Sequence, residues 1–213
     1  MDLTSWPLFG LRIRTPRVEL RAVTDDDMDE LVALILGGVH HPDEMPFLMP
    51  WTRAEPPDLQ RASLQWHWKG RADWAPADWR LSLGVWEDGT LVGQQDVIAT
   101  DFAVRRVVSS GSWLGLPHQG KGIGTEMRAA ILHFAFAGLG AERAQTDAYA
   151  DNPRSLGVTA KLGYEPNGVQ IRVSDGAPRE IHHFVMTRDQ WTATRRDDIA
   201  IDGLDGARSM FGA

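Results

Sequence analysis

Near the middle of the chain the apolar run Ser112-Trp113-Leu114-Gly115-Leu116 passes through Pro117-His118-Gln119-Gly120-Lys121-Gly122-Ile123-Gly124-Thr125 and straight into a long amphipathic stretch. A strand that enters a glycine-rich turn and leaves as a helix is a cradle for phosphate. Glycines at 120, 122 and 124 let backbone N–H groups converge where a side chain would block approach, and the new helix adds its partial positive N-terminal charge at the same spot. The sequence predicts a ligand carrying a pyrophosphate.

Spacing separates three readings of this turn. Gly115-x-x-x-x-Gly120-Lys121 begins like a nucleoside-triphosphate loop, but Gly122 stands where that loop needs a Ser or Thr hydroxyl for magnesium. A dinucleotide fingerprint wants Gly-x-Gly-x-x-Gly near the start of a βαβ unit, whereas these glycines fall about halfway along the chain. The pattern that fits is Gln-x-x-Gly-x-Gly, met by Gln119, Gly122 and Gly124.

Composition narrows the class. The 213 residues, 43% of them hydrophobic, suffice for one packed α/β domain, and no Ser/Pro-rich linker divides them. A formal charge of −7 argues against an extended nucleic-acid or anionic-membrane footprint. No run approaches the roughly 18–20 apolar residues of a membrane span and the N-terminus lacks a signal-peptide pattern, so a cytoplasmic protein is expected. The absence of cysteine excludes disulfides, thiolate zinc sites and a cysteine acyl-enzyme. Four of the seven histidines form the adjacent pairs His40-His41 and His182-His183 and no His-Glu-x-x-His helix exists, so no metal is expected.

Periodicity predicts the elements in order. Val18 to Val23 alternates as a first strand, Thr24 caps a helix whose first turn is Asp25-Asp26-Asp27, and Gly37-Gly38 stops it. Residues 40–51 are irregular but apolar enough to wall a cleft. A helix over 58–69 follows, then strands near 80–86 and 91–99 joined by the hairpin turn Asp88-Gly89, then a strand over 104–114. The long helix spans about 123–138, with Met127, Ala130, Ile131, Phe134 and Ala135 on one stripe. A strand over 142–149, a helix over 153–162 and strands over 169–173 and 180–186 complete the list. Trp66, Trp68, Trp74 and Trp79 suggest an aromatic surface near the second helix, for packing, a subunit interface or a substrate wall. Residues 1–195 read as one domain and 196–213 as a polar tail or subunit-contact arm.

The turn resembles the coenzyme A pyrophosphate loop of the GNAT superfamily of N-acyltransferases. Asp151-Asn152-Pro153-Arg154-Ser155 followed by Lys161-Leu162-Gly163-Tyr164 is similar to the Asn…Ser…Lys-Leu-Gly-aromatic segment of that superfamily, in particular its ribosomal-protein N-terminal acetyltransferase-like branch. Trp6-Pro7-Leu8-Phe9, Met45-Pro46-Phe47 with Pro50-Trp51-Thr52-Arg53-Ala54, and Gly111-Ser112-Trp113-Leu114-Gly115 resemble a group of actinobacterial GNAT proteins that includes a mycobacterial succinyltransferase. The resemblance, which covers about residues 10–190, implies an α/β (α+β) GNAT fold: a mixed, mostly antiparallel sheet of about seven strands flanked by helices, with splayed central strands.

It also implies a chemistry, direct transfer of an acyl group from acetyl-CoA or succinyl-CoA to a primary amine. By that resemblance Trp113, Leu114 and Leu116 pair with pantetheine and Leu114 N–H serves as oxyanion donor. Gln119, Gly120, Lys121, Gly122, Ile123, Gly124 and Thr125 hold the pyrophosphate, and Asn152 and Ser155 reach the cofactor. Many members place a tyrosine seven residues after the asparagine as general acid; here that position is Thr159, which leaves Ser155 as the candidate and Tyr149 as a second. Asp43, Glu44, Asp96, Ser110 and Ser112 are candidate bases. An α-amine titrating near 8 needs less help than a lysine near 10.4, so the want of an obvious base favours an α-amine. A succinyl carboxylate would need cations or donors, for which His40, His41 and Arg53 are candidates. A small-molecule or peptide amine is the expected partner, and a homodimer or higher homo-oligomer the expected assembly. A coenzyme A sensor without turnover is the competing class.

Overall fold

The computed structural model describes residues 5–174 and 176–213. Nine strands form one sheet: β1 (Arg12–Arg14), β2 (Val18–Ala22), β3 (Asp78–Glu87), β4 (Thr90–Thr100), β5 (Val107–Leu114), β6 (Arg143–Tyr149), β7 (Glu165–Ser174), β8 (Ala177–Thr187) and β9 (Ala200–Asp202). Their order is β7-β8-β6-β5-β4-β3-β2-β1-β9. Every pairing is antiparallel except β5 with β6. Seven strands match the expectation from the sequence; the short edge strands β1 and β9, three residues each, are additional. The 104–114 strand begins later than expected, because Phe102–Arg105 forms a short helix, α3.

The hairpin between β3 and β4 follows its residues. Asp88 and Gly89 adopt φ of 50° and 78°, the paired positive values of a turn whose twist matches that of the strands it joins. Entry into α1 (Met28–Leu36) shows more than dipole chemistry. The Asp27 carboxylate accepts from the Thr24 amide at 2.8 Å and from both Arg21 Nη atoms at 2.9 and 2.7 Å. These bonds outweigh its burial and bring its pKa down to about 2.

Helices α1 and α2 (Asp58–Ala72) cover one face of the sheet, over Val23, Met28, Leu31, Ile35, Leu59, Trp86 and Leu91. Helix α4 (Ile123–His133) lies in the larger core on the other face and runs into a π-helical turn at Phe134–Gly138. Helices α5 (Pro153–Lys161) and α6 (Arg188–Thr194) follow β6 and β8.

Residues 196–213, read from sequence as a tail or arm, fold back onto their own chain. β9 pairs with β1, and Ile199, Leu204, Ala207 and Phe211 join the main core, the last two through α7 (Leu204–Ala207) and a 3-10 turn. Gly203 has φ 75° and lies against the Gly10 carbonyl, where a Cβ would collide. Tryptophans clasp the segment: Trp74 Nε1 donates to Met210 O at 2.9 Å and Trp79 Nε1 to Phe211 O at 3.1 Å. The expected aromatic surface near α2 is therefore divided. Trp74 and Trp79 stack on each other in the core, whereas Trp66 lies under the Arg80 guanidinium and Trp68 donates to Asp25.

Candidate active site

The central strands part where the sequence placed its ligand. Parallel pairing of β5 with β6 runs from Val107↔Arg143 to Ser110↔Thr146 and stops, although β5 continues to Leu114 and β6 to Tyr149. Gly115 N donates to Val92 O on the β4 side at 3.0 Å. By strand alternation the amides of Leu114 and Ser112 point the other way, into the gap. These backbone groups are available to an extended ligand.

The glycine turn closes the outer end of the gap. Gly120 and Gly122 adopt φ of 74° and 86°, and no side chain caps α4. The amides of Thr125 and Glu126 both return to Gly122 O at 3.1 Å, so those of Ile123 and Gly124 leave the helix end without an intrahelical acceptor. That is the geometry of an anion site. Arg17 braces the turn, donating from Nη1 to Lys121 O at 2.5 Å and from Nε to Glu87 at 2.5 Å.

Gap and turn open into one cavity of about 570 Å³. Residues 39–48 wall it through Val39, His40, Pro46, Phe47 and Leu48, as the apolar character of that segment predicted. Two arginines hold the wall in place: Arg154 Nη1 donates to Glu44 Oε2 at 2.7 Å and Arg179 Nη1 to Met45 O at 2.8 Å.

Of the residues singled out from sequence, Trp113, Leu114, Gln119, Gly120, Gly122, Gly124, Thr125, Asn152 and Ser155 all line this cavity. Their parts differ. Gln119 donates from Nε2 to Val39 O and Leu114 O, at 2.8 and 2.9 Å, and so fixes the turn against the wall and the strand end. Asn152 caps α5 by accepting from Ser155 N at 3.1 Å. The structure does not bring Leu116, Lys121 or Ile123 to the cavity lining. Leu116 N is taken by Gly38 O, Ile123 is wholly buried in the core, and Lys121 is exposed. Thr159 is buried and donates to Ser155 O at 2.9 Å, whereas Ser155 itself faces the cavity. Tyr149 is buried beneath the Arg179 guanidinium, 3.6 Å from the ring centroid.

Sequence reading missed the four charged lining residues Arg128, Asp147, Arg154 and Lys161, and with them Thr146. Lys161 and Arg154 lay inside the recognised Asn-to-Tyr segment and were legible as cations near the phosphates. Asp147 becomes part of the site through pairing with β8, where His183 Nδ1 meets its Oδ1 at 2.6 Å. Among the described residues no group of three His, Asp or Glu side chains is placed to hold a metal ion.

On the α1/α2 side the register sets Ser82, Asp96 and Gly111 in one row across three strands, and across the gap it pairs Asp147 with His183. Gly111 is exposed, with open space where a Cβ would stand. Burial raises the Asp96 carboxyl to about 6, against hydrogen bonds from Ser82 and Gln94 and the charge of Arg80. Gln94 Oε1 also meets His67 Nε2 at 3.0 Å, and burial brings His67 down to about 4 against that bond. The two groups act oppositely on stability. Asp96 binds protons in the folded chain that it lacks when unfolded between about pH 4 and 6, so its contribution falls as pH rises there; neutral His67 loses stability as pH falls from 6.5 towards 4. In Asp96→Asn only the histidine slope remains. We expect that variant to be more stable at pH 7 by on the order of 1–3 kcal/mol, and to lose stability between pH 6.5 and 4 more steeply than the parent. Urea titrations across that range measure both, and parallel pH profiles for parent and variant would reject the assignment.

No helix among the described residues is long and apolar enough to cross a membrane. Over residues 17–165 the sequence matches the family described as "Acetyltransferase (GNAT) domain". It is 24% identical over 195 residues to the SPbeta prophage-derived uncharacterized N-acetyltransferase YokL of Bacillus subtilis, covering 90% of this chain and 97% of that one. Among solved structures, the fold is similar to Mycobacterium smegmatis RimJ in complex with CoA-disulfide, with TM-score 0.69, 22% identity and coverage of 89% and 95%. It is also similar to a putative ribosomal-protein-serine acetyltransferase from Vibrio cholerae, with TM-score 0.63, 24% identity and coverage of 83% and 97%. Splayed central strands, an uncapped glycine-turned helix and this match over the middle of the chain agree: the protein belongs to the GNAT acetyltransferase family.

Proposed function

We propose that the chain is an N-acyltransferase that moves an acyl group, acetyl or succinyl, from coenzyme A directly to a primary amine within a ternary complex. The carrying observation is the continuous path from the open amides of the glycine turn, with Gly120, Gly122 and Gly124 on the lining, to the unpaired edge of β5. The pyrophosphate sits on those amides, with Lys161 and Arg154 near it, and pantetheine adds to β5 as an extra strand. The Leu114 amide, pointing into the gap, polarises the thioester carbonyl.

The amine approaches over Gly111 from the α1/α2 side, between Asp96 and Asp147. A cationic amine is held there by two carboxylates, and Asp96, raised to about 6, accepts its proton directly or through one water. Ser155 donates to the sulfur as thiolate leaves, because Thr159 spends its hydroxyl on the helix backbone.

Coenzyme A and acetyl-coenzyme A should each raise the melting temperature in proportion to the logarithm of their concentration. Product formation from a panel of α-amines, lysine peptides and polyamines then identifies the acceptor. Ser155→Ala should lower kcat by about 100–10,000-fold with little change in acetyl-coenzyme A affinity, the range for one positioned proton donor. Binding without turnover for every amine would support a sensor instead, and no stabilisation by any coenzyme A species would end the proposal.

A further inference from the structure

Helix α4 buries a charge that no carboxylate among the described residues pairs with. Arg128, between Met127 and Ala129, is 4% exposed. Its Nη1 donates to Thr146 Oγ1 at 2.9 Å and its Nη2 to Ser112 Oγ at 3.2 Å, while Nε is buried without an acceptor. Tyr164 Oη, also buried, lies within electrostatic reach of the guanidinium and makes no hydrogen bond of normal geometry. The acids around the cavity are engaged by other side chains: Asp147 by the His183 ring, Asp151 by Arg179 and Glu44 by Arg154. Among the described residues no carboxylate forms an ion pair with Arg128. A buried cation bonded only to neutral hydroxyls retains much of its desolvation cost, which an anion would offset.

Its place says which anion. Ser112 and Thr146 stand on opposite arms of the splay, and Thr146 belongs to the last residue pair before the strands part. Arg128 therefore lies at the vertex of the gap and lines the cavity. It follows Gly122 by six positions on a helix, about 9 Å from the phosphate cradle. A ligand that lies along β5 with its phosphates on the turn brings its far end to this guanidinium.

We propose that Arg128, Ser112 and Thr146 form a carboxylate-recognition subsite, so that the preferred donor is a thioester whose acyl group ends in a carboxylate, of the succinyl or malonyl kind. This rests on the reading of the cavity as an acyl-coenzyme A site. The guanidinium supplies planar N–H donors of the sort that grip a carboxylate from two sides, the Ser112 hydroxyl is placed to donate to it, and Thr146, which gives its own proton to Ser110 O at 3.2 Å, holds the guanidinium in place. The subsite belongs to the α4 side of the sheet, apart from the Gly111 row on which the amine is received. His40, suggested by sequence for the same task, has Nδ1 on His41 O and Nε2 on Thr52 Oγ1, both at 2.7 Å.

The decisive comparison is between succinyl-coenzyme A and butyryl-coenzyme A, which match in chain length and differ in the terminal charge. With the full chain and one fixed amine, kcat/KM for succinyl should exceed that for butyryl by about 10–100-fold, one charge-assisted contact's worth. Arg128→Gln should bring the ratio to near 1, and Arg128→Lys should restore part of it. Equal use of the two donors by the parent, or a ratio unchanged in Arg128→Gln, overturns the subsite. If Arg128→Gln does not fold, the parent's donor ratio together with the thermal shifts given by the two thioesters decides alone. Stabilisation by coenzyme A and butyryl-coenzyme A with no gain for succinyl defeats only this inference, whereas no stabilisation by any of them defeats the acyl-coenzyme A site itself.

Discussion

Replacing Phe211 with alanine should lower the unfolding free energy by about 3–5 kcal/mol. The ring is fully buried and meets Trp74, Trp79 and Phe134 edge-on at centroid separations of 5.5, 5.0 and 5.6 Å. Truncation leaves a void bounded by rigid aromatic walls that cannot close, so the cost includes both lost transfer energy and an empty cavity. The residue lies far from the glycine turn, and the coenzyme A affinity of the folded variant should match the parent's. Guanidinium denaturation at constant m-value measures the first quantity. A loss below 1 kcal/mol would mean that residues 196–213 are not part of the core in solution.

Gly122→Val should have the converse profile, a modest effect on stability and a large one on binding. At φ 86° a β-branched residue is strained by about 1–2 kcal/mol, and the turn relieves that strain by rotating its peptides. Rotation turns the neighbouring amides away from the phosphates. Loss of one or two charge-assisted hydrogen bonds at about 1.5–3 kcal/mol each weakens coenzyme A by roughly 10-fold to more than 100-fold. Calorimetric titration with coenzyme A and with dephosphorylated pantetheine should show the variant impaired for the first and much less for the second. Equal impairment for both would place the pyrophosphate elsewhere.

How much of this was legible depended on whether the signal was local. The glycine turn, the Asp88-Gly89 hairpin and the start of α5 at Pro153 are set by a few consecutive residues, and each appears where the sequence put it. The tail was misjudged for the opposite reason. Asp197, Asp198, Asp202 and Asp205 made it look solvated, while the apolar residues between them have a partner only once β1 and two distant tryptophans are in place. Arg128 was hidden for a related reason. In a helix read singly, an arginine beside Met127 counts as solvent-facing, and its burial follows from the vertex formed by two strands more than thirty residues apart. Asp147 alternates as an exposed strand position and joins the site only through the register with β8.

The arrest of the β5–β6 ladder after four residue pairs divides the sheet into a wing of six strands and a wing of three. Little main-chain bonding stitches the wings together, so the seam is where the molecule can flex most cheaply. A guest lying along β5 with its head on the mouth of α4 and its flank against α5 spans that seam. Occupancy of the proposed site would then act as a splint across a joint, and hydrogen exchange in β6, β7 and β8 should slow when coenzyme A is added.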